Sequence, residues 1–210
     1  MKAGIIIYGL EGNFDIASKT WSYIDNFDSD VVFSIGQGIT TEAIIKEKYP
    51  NAKFNRDMTL EGSDSERNIR LIKQGYSLLK NEYDFIILMK INSYIIADDG
   101  FDFLNNCNES DKIYGYRPIK IIGKQLFYVP EYFFIGSQKN MDILVSDLPD
   151  IIDTDINDVI PKTLLKNELY IQDIGPFFYI EEVFNNIVTS YQNLTPYELK
   201  IKAAEWKLRK

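Results

Sequence analysis

Histidine is absent from this 210-residue chain. With it go the Ser-His-Asp and Cys-His dyads, imidazole metal sites and imidazole acid–base catalysis. Proton transfer must therefore rest on Asp, Glu, Lys or Tyr. Cysteine is nearly as scarce: the single Cys107 excludes an intramolecular disulfide and any cysteine-based structural zinc site, and it fits a reducing compartment. Positive charge is short as well. A formal net charge of -8 argues against a nucleic-acid binder, which needs a concentrated basic surface, but leaves room for a nucleotide held by a few donors. No apolar run approaches bilayer-spanning length, and Met1-Lys2 leads into a short strand and a glycine turn instead of a signal peptide. The expected location is the cytoplasm.

Aromatic residues make up 14% and charged residues 26% of the chain, the mix of a folded globular protein. The length suits one α/β domain over residues 1–210, with no linker-like run to divide it. The most informative stretch is Asn81 to Asn92. A helix end is followed by a nearly all-apolar strand, Phe85-Ile86-Ile87-Leu88-Met89, and then by an abrupt change to polar residues. A strand with no polar face is buried on both sides, as in the centre of a parallel sheet covered by helices. Ligands of such sheets bind just beyond the carboxyl ends of the strands, which directs attention to Lys90 through Asp99.

The pattern on either side supports this. Ala3 to Tyr8 reads as a buried first strand closed by Gly9, Phe14 to Phe27 has helical spacing, and Asp30 to Ile35 is a second strand stopped by Gly36 and Gly38. A helix capped by Thr40 or Thr41 runs through Lys48, and Lys53 to Asn55 forms a short third strand. Ser63 or Asp64 caps a long helix ending near Asn81, with Ile69, Ile72, Leu78 and Leu79 buried and Asn68, Arg70 and Lys73 on its polar side. Three strand–turn–helix units in a row predict a right-handed, mostly parallel sheet. Beyond it, Lys112 to Arg117, Ile119 to Val129 and Tyr132 to Ile135 read as strands of a mixed extension. Gln138 to Leu148, Asn157 to Leu169, Gly175 to Ile187 and Thr195 to Arg209 read as helices.

Several motifs bear on chemistry. The turn Gly9-Leu10-Glu11-Gly12-Asn13, between a strand and a helix, can present N–H groups and a helix dipole to a phosphate or nucleoside. It lacks the dinucleotide fingerprint and the P-loop ending, and a plain tight turn explains it equally well. Asp98-Asp99-Gly100 carries two adjacent carboxylates at the expected mouth, able to hold a hard cation or, alternatively, to form a polar turn that caps Phe101 to Asn105. The acidic run from Asp147 to Asp158 lacks the glycine and terminal glutamate of a calcium loop and reads as a solvated surface. The last helix has an apolar stripe at Tyr197, Ile201, Ala204 and Leu208 with basic residues elsewhere. It packs on its own domain in the simpler reading, with peripheral membrane contact as the alternative.

Together these segments resemble a family of GT-A-type glycosyltransferases from polysaccharide and lipopolysaccharide gene clusters and from large DNA viruses. The first strand with its glycine turn and aromatic, Ile5 through Phe14, followed by Thr20-Trp21, carries part of the likeness. The helix Asn68 to Lys80 running into Tyr83-Asp84 and an apolar strand carries another, and Tyr132-Phe133-Phe134-Ile135-Gly136-Ser137, opening a helix at Met141, a third. The resemblance implies a single-domain, Rossmann-like GT-A fold. It also implies transfer of a sugar from a nucleoside diphosphate donor to a glycan or lipid-linked acceptor. It assigns Tyr8, Gly9, Leu10, Gly12 and Asn13 to the nucleoside end and Arg70 and Lys90 to the diphosphate. Asn92, Asp98 or Asp99 would hold a divalent cation, manganese or magnesium, and Glu131 or Asp173 would be the base. The chain departs from the family where paired basic residues on the central strand appear as Leu88 and Lys90. It departs again where the metal-binding aspartate falls on Asn92, which brings an oxygen but no charge. The acidic residue expected near Phe177 is replaced by Asp173 or Glu181. A relative that binds a nucleotide sugar without turnover, a sugar nucleotidyltransferase and a non-enzymatic scaffold are the rival readings. Against the nucleotidyltransferase stand Glu11 and the lack of any Lys or Arg between Lys2 and Lys19.

Overall fold

β1 (Lys2–Gly9) is apolar from Ala3 to Tyr8 and buried over that span, so it can only be an interior strand. A computed structural model places it between β2 (Asp28–Ile35) and β4 (Phe85–Lys90), parallel to both. The structure describes residues 1–10, 14, 18, 21, 24, 28–36, 39–97, 112–115, 119–120, 127–128, 133–173 and 178–182. β3 (Lys53–Arg56) extends the sheet beyond β2 in parallel. On the other side, β9 (Phe133–Ser137) runs antiparallel between β4 and β6 (Lys112–Gly115), and β10 (Tyr170–Asp173) adds in parallel to β6. The order β10-β6-β9-β4-β1-β2-β3 makes a seven-stranded, mostly parallel mixed sheet, as the sequence predicts.

Period-two alternation divides the interior into two layers. Ile5, Ile7, Phe33, Ile87 and Met89 face one side, where Phe14, Trp21 and Ile24 cover them together with Ile45 of α1 (Ile39–Lys48). Phe14 stands edge-on to both Trp21 and Phe33, at 5.5 and 5.7 Å between ring centres. Ile6, Tyr8, Val32, Ile86 and Leu88 face the other side. There they meet α2 (Asp64–Ser77), α3 (Gln138–Asp147) and α4 (Ile156–Lys166). α2 begins with a capping box: Ser63 Oγ accepts from Glu66 N at 3.2 Å and Glu66 Oε2 accepts from Ser63 N at 2.7 Å. It ends when Leu78 and Leu79 N–H turn to Gly75 and Tyr76 carbonyls in a tighter turn, short of the expected end near Asn81.

Two expectations fail. Ile119 to Val129 is not one strand. β7 (Ile119–Lys120) pairs antiparallel with β8 (Phe127–Tyr128), so the run folds back on itself. The helix expected over Gly175 to Ile187 is, at its centre, β11 (Phe178–Glu182), antiparallel to β5 (Ser93–Ala97). The spacing of Phe177, Ile180 and Phe184 suits a helix, but an edge offered by β5, about 85 residues earlier in sequence, captures the segment as a strand. The final helix predicted from Thr195 lies outside the described residues.

Candidate functional site

At the carboxyl edge of the sheet the chain leaves four neighbouring strands side by side. Tyr8 O accepts from Ile91 N at 2.7 Å, Gly9 O from Gly36 N at 2.9 Å and Ile35 O from Asp57 N at 3.0 Å. Gly9 has φ +154°, and a Cβ on it would lie 2.6 Å from Ile91 Cγ2. Only glycine lets β1 pass the end of β4, so packing alone accounts for this residue. Trp21 Nε1 donates to Ser93 O at 2.9 Å and ties the segment after β1 to the start of β5.

The residues singled out in the sequence distribute unevenly around this edge. The Tyr8 side chain, expected at the nucleoside end, is fully buried in the core against the helical layer. Leu10 packs partly buried on the same cluster. Lys90 is half-buried and pairs in register with Tyr8, which puts both side chains on the same face. Asn92 follows it and is buried. Arg70 does not stand ready for a diphosphate. Its Nε donates to Asp57 Oδ2 and its Nη2 to Glu61 O at 3.1 Å, so a buried carboxylate already meets its charge. Burial pushes the Asp57 carboxyl up, but the hydrogen bonds from Arg70 and Thr59 outweigh it and hold the group below the usual carboxylate range. Asp173 ends β10 at the same edge, three strands away from β4, or about 14 Å. Register sets Glu181 opposite Tyr94 and Glu182 opposite Ser93, which brings acidic positions beside the residue that follows Asn92. Gly12, Asn13, Asp98, Asp99 and Glu131 lie outside the described residues. Among the described residues no group of three or more His, Cys, Asp or Glu could hold a metal ion.

The sequence reading missed Asp57, Arg67 and Asn68. Asn68 was expected on the polar side of α2, yet it is only 6% exposed. The spacing contains the signal: Asn68 stands four residues before Ile72 and seven before Gly75, on the stripe that faces the sheet. Contacts along α2 fix its level. A Cβ on Gly4 would touch Leu79, a Cβ on Gly75 would touch Ile6 and Ser34, and Ser34 Oγ donates to Leu71 O at 2.6 Å. Helix and strands run in opposite directions, each helical turn advancing by about two strand residues. One turn beyond Leu71, Asn68 is therefore level with Gly9 and Leu10. Its Oδ1 is buried and meets no donor among the described residues, and Arg67 Nε meets no acceptor there.

No protein-family model matches the chain, and no curated protein sequence matches it. Solved structures do. HddC from Yersinia pseudotuberculosis, complexed with GMP-PN, is similar with a TM-score of 0.53 at 13% identity, over 91% of this chain and 98% of that one. The 4-diphosphocytidyl-2C-methyl-D-erythritol synthase from Anaerococcus prevotii is similar with a TM-score of 0.56, also at 13% identity, over 90% of this chain and 94% of that one. At this identity the likeness is one of fold: the chain shares a Rossmann-like α/β architecture with these two structures.

Proposed function

We propose that the chain is a nucleotide-sugar-dependent glycosyltransferase that works at the carboxyl edge of its sheet. The observation that carries this reading is the parallel register of β1 and β4, which sets the Gly9 turn beside Lys90 and Asn92. A turn and a cation on adjacent central strands are what a nucleoside diphosphate needs at this edge of an α/β sheet. The acceptor hydroxyl oxygen attacks the anomeric carbon of the donor, and the bond from that carbon to the diphosphate oxygen breaks. The hydroxyl proton passes to a carboxylate, with Glu131 and Asp173 as candidates, and Glu181 besides. Lys90 stabilises the negative charge that builds on the leaving diphosphate. Asn92, with Asp98 and Asp99, would hold a divalent cation such as manganese or magnesium, which supplies further countercharge. The donor set suits a weakly held ion, since the buried Asn92 brings an amide oxygen and no charge. The acceptor in this reading is a glycan or a lipid-linked glycan. Among the described residues no helix is long and apolar enough to cross a membrane.

Melting curves with uridine, guanosine and cytidine diphosphate sugars, with and without manganese, test the binding step. A donor at a hundred times its dissociation constant adds about 2.7 kcal/mol, a shift of several degrees. Release of nucleoside diphosphate in the presence of an acceptor then tests turnover. The reading fails if no sugar nucleotide moves the melting curve at millimolar concentration. Binding without release would mark a protein that holds the donor but does not transfer it.

The second reading is nucleotidyl transfer, which the fold likeness to HddC and to a diphosphocytidyl synthase favours. Its weakness is local: no Lys or Arg lies between Lys2 and Lys19 to grip a triphosphate in the first turn. Pyrophosphate release from a nucleoside triphosphate and a sugar phosphate would establish it over glycosyl transfer.

A further inference from the structure

α2 buries two polar atoms that no group among the described residues meets. Asn68 is 6% exposed with an Oδ1 that meets no donor, and the Arg67 side chain is 17% exposed with an Nε that meets no acceptor, among the described residues. The Arg67 Nη1 reaches only Asp64 Oδ1, 3.4 Å away on a largely exposed side chain. Burying an amide oxygen or a guanidinium N–H without a partner opposes folding, and native proteins rarely retain such atoms without a use. The cost is also avoidable, since leucine would fill the place of Asn68 in the apolar stripe of Ile72 and Gly75.

The chemistry of the open valences selects the ligand. Asn68 Oδ1 requires a donor, and a phosphate at neutral pH has almost none to give. Arg67 Nε requires an acceptor. The matching group must offer both within a small area, as the base edge and ribose hydroxyls of a nucleoside do. The helix N-terminus is a poor seat for phosphate in any case. Its capping box engages the N–H groups of Ser63 and Glu66, and Asp64 and Glu66 place negative charge there. Glu66 is further fixed by Ile152 N, which donates to its Oε1 at 3.2 Å.

We propose that Arg67 and Asn68 form the polar wall of a nucleoside pocket between the first turns of α2 and the strand end at Gly9–Leu10. The diphosphate leads away from this wall toward Lys90. Arg70, one turn on, is a positioning residue: its bonds to Asp57 and to Glu61 O hold the segment after β3 against α2, beside the pocket.

This assignment rests on the nucleotide reading above, and its test separates the two. Isothermal titration of the wild type, Asn68→Leu and Arg67→Met with uridine, guanosine and cytidine diphosphates is compared with their unliganded melting temperatures. The nucleoside diphosphate that binds the wild type should bind Asn68→Leu at least tenfold more weakly, while the unliganded protein melts at the same or a higher temperature. Arg67→Met should lose affinity similarly. The corresponding sugar nucleotide should lose the same factor, because the wall contacts the nucleoside. Affinity retained within twofold in both variants overturns the assignment and leaves the nucleotide reading standing. So does a loss confined to the sugar nucleotide, or a loss that appears only together with a fall in melting temperature. If no diphosphate binds the wild type, both fall.

Discussion

The two ends of the sheet differ in how far their buried polar groups are met, although at the amino end Asn140 Oδ1 too is buried and meets no donor among the described residues. At the amino end, Asp30 accepts from Tyr83 Oη at 2.7 Å and from Asn81 Nδ2 at 2.5 Å, with Lys2 Nζ 4.0 Å away. Lys2 N donates to Asp84 Oδ2, Lys53 Nζ to Leu78 O and Lys48 Nζ to Ser18 O. Hydrogen bonds from Tyr83 and Asn81 hold the Asp30 carboxyl below its usual range, while burial and the same carboxylate push the Tyr83 phenol up to about 12. A cavity of about 240 Å³ lies here, lined in part by Asp30, Lys48, Tyr49 and Lys53, but its charged groups are already engaged. At the carboxyl end Asn68 Oδ1 and Arg67 Nε are buried and meet no partner among the described residues. Closed polar networks cost the fold little and fix strand and helix ends; open ones cost stability and acquire value only when something fills them.

Both ends are held in register by one helix, so the largest expected effect comes from displacing it. A Cβ at Gly75 would stand 2.8 Å from Ser34 Cβ and 2.9 Å from Ile6 Cγ2, both parts of the rigid sheet. Gly75→Val should cost about 3 kcal/mol through overpacking and should weaken donor binding as well. Urea unfolding measures the first and titration the second. Stability unchanged within error would mean that α2 does not lie against β1 and β2 as described.

At the closed end, Asp30→Ala leaves the Tyr83 hydroxyl and the Asn81 amide without their acceptor. The expected loss is about 2 kcal/mol, with no change in nucleotide affinity. A matching loss of affinity would show that the two ends are coupled, which the contrast between them denies.

The Arg70–Asp57 pair is a closed unit at the open end, and pH reads it. The folded carboxyl titrates below its unfolded value of roughly 3.9. Its contribution is therefore complete above that pH and disappears as pH falls through the lower, folded value. Asp57→Asn should remove about 1 kcal/mol at neutral pH and should flatten the acid limb of the stability profile. An acid limb identical to that of the wild type would mean that other carboxylates, Asp30 among them, account for it.

The smallest expected effect is the most informative. Asn68→Leu at the open end should change stability by less than about 0.5 kcal/mol or raise it, since an apolar group replaces an unpaired buried amide. A loss near that of Asp30→Ala would place Asn68 in the structural class and erase the difference between the two ends.

The parts of this molecule that were legible in its sequence are those governed by neighbours along the chain. Period-two and unbroken apolar runs identified β1, β2 and β4, and the capping signal Ser63 with Glu66 located the start of α2. The Gly9 turn and the polar residues after Met89 marked where β1 and β4 end, at the carboxyl edge of the sheet. Absent histidine and paired cysteine removed whole classes of chemistry before any fold was known. What no local pattern could supply was pairing between distant segments. β11 is a strand because β5 offers it an edge, and Arg70 is neutralised because Asp57 returns to it from the end of β3. Asn68 is buried because α2 is rotated to present it to the sheet, one turn past Leu71. Propensity and periodicity are properties of a few consecutive residues, so the sequence alone determined the elements and the edge at which they end. Burial and partnership depend on which surfaces meet, and only the tertiary structure decided which polar groups would be closed and which left open.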